Sequence, residues 1–464
     1  VCGFENYVRT SAKILVIAVL FAGKTVFMFQ ILLFIAVLAA TGWFAAKGYG
    51  RVWRNIHLGK AEKTEGNAAE RWQNVLLVAF GQRKMFKNWL PAVLHLFIYV
   101  AFVITQIELI EILVDGLTGN HRFFAPYLGG VYTFVISFIE ILSVLAFVAT
   151  VAFLARRNLL QVPRFRKPEL NGWPALDANL ILLGEIILII GIFSMNGADQ
   201  VLQARGVEHY GPTGAFAVSS LLGPGLFAGL SDGTLIAVER FGWWLHIFTV
   251  FGFLCYLPYS KHLHILLAFP NTWYARLSPK GEIANMPDVQ KEVRIMMGLE
   301  QPDPNAPNDL PEFGANDVFS LSWKNLLQAY SCTECGRCTA ACPANITGKK
   351  LSPRKVMMDV RDRAEEVGAA IASGAQTREY YSDGKSLFDY ISPEELHACT
   401  TCNACVEACP VLINPLDIIV QLRRYEILTL SAGPTDWLPL FNAIENNGAA
   451  WAMSEEREGW RNQF

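Results

Sequence analysis

The sequence predicts an all-α protein in two parts, a bundle of five membrane-spanning helices followed by a helical domain outside the membrane. Three observations carry that expectation. Apolar runs of membrane-crossing length recur up to about residue 268, the loops between them alternate sharply in basic content, and beyond about residue 270 the chain turns polar and holds two four-cysteine runs. Hydrophobic residues make up 52% of the chain and charged ones only 17%, more apolar than a set of ordinary globular domains of 464 residues. The net charge of −2 argues against a nucleic-acid partner.

A run of about 20 apolar residues spans a hydrocarbon core of about 30 Å. Such runs lie at 24–46, 90–114, 129–155, 174–197 and 240–268, defining a membrane domain over 24–268. The loop after the first carries Lys47, Arg51, Arg54, Lys60, Lys63, Arg71, Arg83, Lys84 and Lys87, and the loop after the third carries Arg156, Arg157, Arg164, Arg166 and Lys167. The alternate loops, 115–128 and 198–239, hold only Arg122 and Arg205. Basic loops stay on the cytoplasmic side, which places the N-terminus outside and the C-terminus in the cytoplasm. The apolar stretch 12–22 is too short to span alone and reads as part of a lead-in segment, 1–23.

Residues 269–316 form a linker, with Gln301-Pro302-Asp303-Pro304-Asn305-Ala306-Pro307-Asn308 expected to be extended. The domain at 317–432 carries Cys332-x-x-Cys335-x-x-Cys338-x-x-x-Cys342-Pro343 and Cys399-x-x-Cys402-x-x-Cys405-x-x-x-Cys409-Pro410, with helices expected at Val356–Val367 and Leu416–Leu428. Each run has the bacterial ferredoxin spacing, in which three close thiolates hold one [4Fe–4S] cluster and the fourth, before Pro, reaches the other. Disulfides suit short secreted chains, and zinc needs only paired Cys-x-x-Cys, so two full runs favour iron–sulfur clusters. The predicted ligand sets are Cys332, Cys335, Cys338 and Cys409 for one cluster, and Cys399, Cys402, Cys405 and Cys342 for the other. Clusters of this kind belong in a reducing compartment, which agrees with the charge-based orientation.

An ionisable side chain within a span is costly and therefore a functional candidate. His95 lies early in the second span, and His246, His262 and His264 lie in the fifth. If the fifth span is one continuous helix, His246 and His264 share a face about 27 Å apart, while His262 is turned about 160° from His246. Because spans two and five run in opposite directions, His264 comes to the depth of His95. The pair would give a bis-His haem b. His246 is the candidate for a second haem, with Met195 or a partner's residue as its other ligand, and His262 is the less favoured ligand. The alternative for each is a histidine bonded to a backbone carbonyl. Glu140 and Glu185, near mid-membrane, are candidates for a quinone-linked proton relay, the alternative being hydrogen bonding between helices. Glu108 and Glu111 fall toward the outer end of span two.

The pattern Gly81-Gln82-Arg83-Lys84 before Leu94-His95, with His246 and Leu257-Pro258-Tyr259-Ser260-Lys261-His262-Leu263-His264, resembles the membrane cytochrome b domain of respiratory nitrate reductases and heterodisulfide reductase-type proteins. Its fusion to a double-cluster ferredoxin is similar to the membrane-bound electron-transfer-flavoprotein:menaquinone oxidoreductases. The resemblance implies electron transfer between a cytoplasmic flavoprotein or iron–sulfur partner and menaquinone, through two clusters and haem b. It departs at Thr105, where nitrate reductase-type domains carry a second histidine on this span. Full-length relatives also continue into cysteine-rich CCG domains, so a CCG-domain iron–sulfur subunit is expected as a separate partner. No Gly-x-Gly-x-x-Gly fingerprint or flavin site is present, and the aromatic tail 433–464, with Trp437, Phe441, Trp451, Trp460 and Phe464, is expected to dock the partner. A quinol-linked heterodisulfide or sulfur-compound reductase and a membrane ferredoxin for metal-centre assembly are the alternative readings.

Overall fold

The computed structural model describes residues 2–64, 66–160, 162–302, 312–374, 376–451 and 458–462, with side chains from Met28 onward. The side chains of residues 2–27, Cys2 and the lead-in segment among them, lie outside the described residues, as do 303–311, most of the expected extended linker. The chain divides into two units. One is Val1–Arg54, Trp72–Thr272 and Thr333–Gly336; the other is Asn55–Arg71, Trp273–Cys332 and Arg337–Phe464. No strand occurs among the described residues.

The first unit is built on α1 (Cys2–Ile56), α2 (Trp89–Thr118), α3 (Gly130–Asn158), α4 (Trp173–Ala204), the short α5 (Ser219–Phe227), α6 (Asp232–Tyr256) and α7 (His264–Trp273). Among the described residues, five segments are long and apolar enough to cross a membrane: Met28–Ile56, Trp89–Thr118, Gly130–Asn158, Trp173–Ala204 and Asp232–Tyr259. Leu32, Ile110, Phe134, Ile190 and Phe248 stand exposed on them, the placement expected of side chains that face lipid.

Hydrocarbon offers no hydrophobic drive for helices to associate, so close backbone approach at small residues takes over. A Cβ on Gly242 would lie 2.6 Å from Met195 N and 2.7 Å from Gly191 O, and one on Gly223 would lie 2.3 Å from Gly197 O. These glycines let α6 and α5 settle onto α4. Gly242→Val is expected to force α4 and α6 apart, at a cost of about 1–3 kcal/mol or more. A lowered Tm in detergent, with Gly252→Val unaffected because nothing lies within 4 Å of that position, checks the claim.

The fifth span differs from the sequence expectation. A continuous helix over 240–268 is not what forms: α6 ends at Tyr256, Leu257–Tyr259 and Lys261–Leu263 are 3-10 turns, and Ser260 between them is extended at φ −123°, ψ 150°. Pro258 starts the break by removing a backbone donor. Buried Asp177 on α4 holds it open, accepting from Ser260 Oγ at 2.6 Å, from Lys261 N at 3.1 Å and from Tyr256 OH. The 27 Å separation and 160° rotation inferred along one helix axis therefore do not apply.

In the second unit, α8 (Trp323–Tyr330) opens with a capping box, Ser322 Oγ accepting from Asn325 N and Asn325 Oδ1 accepting from Ser322 N. The helices α9 (Arg337–Ala341), α10 (Pro353–Ala372), α11 (Ala404–Ala408) and α12 (Pro415–Arg424) follow, and then α13 (Leu438–Asn447). The expected helix at Val356–Val367 falls within α10; that at Leu416–Leu428 continues from α12 as a π-turn over Tyr425–Thr429. Arg363 of α10 is fully buried and grips Asp317 at 2.7 Å and Asp383 at 2.6 Å. The Arg363 hydrogen bonds hold the Asp383 carboxyl well below the usual carboxylate range. A depressed folded-state value means stability present above the unfolded value near pH 4 and lost as pH falls through the folded one. Acid titration of the second unit should show this loss below about pH 4, and Asp383→Asn should flatten it.

Candidate redox site

The two cysteine runs reuse one backbone design. In the first, Glu334 and Gly336 are left-handed at φ 52° and 70°; in the second, Thr401 and Asn403 hold the equivalent places at φ 56° and 61°. Alternating left-handed residues turn successive N–H groups to one side, a concavity suited to anionic iron–sulfur groups. Thr401 N donates to Cys399 Sγ at 3.4 Å, and Ile413 N donates to Cys409 Sγ at 3.3 Å. No disulfide joins the described cysteines. In the second unit α9 packs against α11, and Cys342 acts electrostatically on both Cys399 and Cys405. The fourth cysteine of the first run thus keeps company with the second run. Burial pushes the Cys405 thiol up to about 12, so loading iron there must displace a proton. These thiols and backbone donors fit [4Fe–4S] clusters.

In the first unit, the break at Ser260 brings three histidines together rather than two. The rings of His262 and His264 lie 5.7 Å apart, and His262 is within electrostatic reach of both His264 and His95. His262 does not point elsewhere, because it sits in the second 3-10 turn rather than on a continuing helix. The three differ in how they are held. His95 Nδ1 bonds Gln82 Oε1 at 3.0 Å, and His264 Nδ1 donates to Lys261 O at 3.0 Å, which leaves Nε2 as the lone-pair nitrogen of each ring. An imidazole anchored through one nitrogen is the usual form of a metal ligand. His262 Nδ1 is buried with no hydrogen-bond partner. If a haem is bound here, His95 and His264 would suit its iron better than His262 would.

Gln82 and Lys261 are the supports that sequence reasoning missed. Gln82 lay within the quoted Gly81-Gln82-Arg83-Lys84 pattern, but its left-handed φ of 49° is visible only in the fold. Lys261 also donates through Nζ to Pro174 O and pairs with Glu334 of the Thr333–Gly336 segment, within the first unit.

His246 is buried where α6 meets α4, with Nδ1 3.4 Å from Leu188 O. Met195 belongs to an apolar cluster with Phe34, Ile112, Trp243, Ile247 and Phe251. Met195 is enclosed by packing, whereas His246 has a backbone-carbonyl anchor of the same kind as His264, only longer. Glu140 accepts from Asn196 Nδ2, Val218 N and Ser219 N, capping the start of α5. Glu185 is half-buried on α4 and makes no hydrogen bond among the described residues. Near the Arg122 end of the bundle a small pocket is lined by Phe34, Trp243, Trp244, Gln30, Asp115 and Arg240.

Comparison with known proteins places the cysteine runs first: a 4Fe-4S dicluster domain matches residues 331–413. The chain thus joins five apolar helices of membrane-crossing length, counted among the described residues, to a match for that dicluster domain. The chain is 27% identical over 436 residues to a probable iron-sulfur-binding oxidoreductase, FadF, of Bacillus subtilis, covering 88% of this chain and 57% of the relative. It is 26% identical over 440 residues to an EtfAB:quinone oxidoreductase of Syntrophomonas wolfei, covering 90% of this chain and 56% of that one. Over 156 residues, 30% of this chain and 22% of the relative, it is 33% identical to a probable membrane-anchored ferredoxin of Chromohalobacter salexigens. The chain thus spans little more than half the length of the first two relatives. No solved structure matches. Those two relatives are named oxidoreductases, and the dicluster match takes in both cysteine runs.

Proposed function

We propose that this chain carries electrons between a soluble partner and the membrane quinone pool. The observation that carries the reading is the pairing, in one chain, of two ferredoxin-spaced cysteine runs with two bundle histidines, His95 and His264, each anchored through Nδ1. Two [4Fe–4S] clusters and a haem b would supply a series of one-electron carriers. Cys332, Cys335, Cys338 and Cys409 would hold one cluster, Cys399, Cys402, Cys405 and Cys342 the other, and His95 and His264 the haem iron. Gln82 and the Lys261 carbonyl orient the two imidazoles.

Quinone reduction consumes two protons for two electrons. Of the two mid-membrane carboxylates, Glu185 has no hydrogen bond to give up, whereas Glu140 is occupied by its three donors. The basic loops after the first and third spans support a cytoplasmic ferredoxin domain, an orientation in which Arg122 would face the outer side.

An electron-transfer flavoprotein or a CCG-domain iron–sulfur subunit is the proposed soluble partner, and menaquinone the proposed quinone. The EtfAB:quinone oxidoreductase relative supports this reading. Exposed Leu438, Phe441, Ile444, Trp451 and Trp460 on α13 and the following segment offer the partner an apolar surface.

The deciding experiment is a reduced-minus-oxidised visible spectrum of the purified chain with haem and iron counted per chain. One b-type haem and about eight cluster iron atoms are expected. Full cluster content with no reducible haem would overturn the quinone-linked reading and favour a ferredoxin serving metal-centre assembly.

A further inference from the structure

The Arg122 end of the bundle holds a dense group of ionisable residues that cluster and haem ligation do not use. Glu108, Glu111 and Asp115 of α2, Glu140 of α3 and Asp199 of α4 are all buried. Facing them are the guanidinium of Arg122, the imidazole of His121, the phenol of Tyr132 and the amide of Asn196. A second guanidinium, Arg240, stands at the edge of the group but is paired with the buried Glu239, so it brings no net positive charge. Five carboxyl groups cannot all ionise around the Arg122 guanidinium in a low-dielectric bundle, so the group must hold protons.

Hydrogen bonds identify which carboxyl holds one. Asp115 accepts from Arg122 N and Phe123 N, each at 3.0 Å. Glu111 accepts from Phe124 N at 3.0 Å and Tyr132 OH at 2.6 Å. Glu140 has its three donors, and Asp199 accepts from Arg122 Nε at 3.2 Å and Gln203 Nε2 at 2.9 Å, with His121 Nε2 at 3.0 Å. Glu108 is different. It is 2% exposed, neither of its oxygens has a well-formed hydrogen bond, and Arg122 Nη1 stands 3.8 Å away. The guanidinium is already donating to Asp199, Tyr132 and Asn196. Glu111, Glu140 and Asn196 complete the polar surroundings of Glu108.

A carboxylate buried without donors is far costlier than a neutral carboxylic acid in the same place. We propose that Glu108 carries a proton in the resting protein and is the proton-exchanging group of this network. The step is loss of H+ from the Glu108 carboxyl, leaving a carboxylate that Arg122 can receive by closing the gap between them. No electron moves on Glu108. The proton passes to a reduced quinone oxygen or to water, and only that first destination rests on the proposed quinone function. His121 bonded to Asp199, with its ring 5.7 Å from exposed His209, marks where the network nears the surface.

Infrared spectroscopy of the purified chain tests this without turnover. A protonated-carboxyl C=O band that shifts in D2O is expected at neutral pH, absent in Glu108→Gln and displaced in Glu108→Asp. Because glutamine copies a neutral acid, Glu108→Gln should keep Tm within about 2 °C of the parent. Carboxyl bands unchanged in Glu108→Gln, together with a Tm lowered by more than about 5 °C, would mean an ionised Glu108 paired with Arg122 and would overturn the proposal. A redox difference spectrum should show the band changing on cluster reduction. A band that stays constant would remove the exchange role, while haem content and quinone reduction, measured separately, would still stand.

Discussion

Serine at Cys342 is expected to cost the protein one of its two clusters and leave the other in place. Cys342 follows Cys338 by one helical turn, and sequence proximity alone would assign it to the first run. Its electrostatic neighbours are instead Cys399 and Cys405, more than 55 residues downstream. The reach across is possible because α9 and α11, which follow corresponding points of the two runs, pack against each other. Iron per chain should fall by about half in Cys342→Ser, with the remaining cluster's electron paramagnetic resonance signal intact. Cys399→Ser should lose the same signal that Cys342→Ser loses. If Cys342→Ser and Cys332→Ser instead lose the same signal, the crossed ligation is wrong.

Alanine at either His95 or His264 is expected to abolish the same haem absorbance entirely, since a bis-His iron loses its site with either ligand. His262→Ala should retain it. The three rings are neighbours, so proximity does not separate them. What separates them is anchoring, through Gln82 for His95 and the Lys261 carbonyl for His264, while His262 Nδ1 is buried without a partner. Gln82→Ala should therefore weaken haem retention by roughly 10–100-fold while leaving the iron–sulfur signals unchanged. Haem lost from His262→Ala but retained in His264→Ala would reverse the assignment.

Much of this molecule was legible before folding because its signals are local. Span length and apolar content answer to bilayer thickness, and the cysteine spacing answers to cluster geometry. The fifth span was misread for a local reason with a remote cause. Pro258 marked a break in the sequence, but the conformation it takes is held by Asp177, about 80 residues earlier, bonding Ser260 and Lys261. A helical wheel drawn through that break separates His262 from His264; the actual 3-10 turn brings them together.

The carboxylates teach a similar lesson. Glu140 stood out by depth in the membrane, and its depth said nothing of the three donors that hold it at the start of α5. Glu108 was noted only for its position near the outer end of a span. Its lack of hydrogen bonds is a property of everything around it.

The sequence by itself determined the five spans, the charge pattern that favours one orientation and the cysteine sets that fit two clusters. Each depends on residue type and spacing along the chain. Only the tertiary structure decided which histidines have anchored rings and which carboxyls are satisfied, because each depends on donors and acceptors brought from distant parts of the chain.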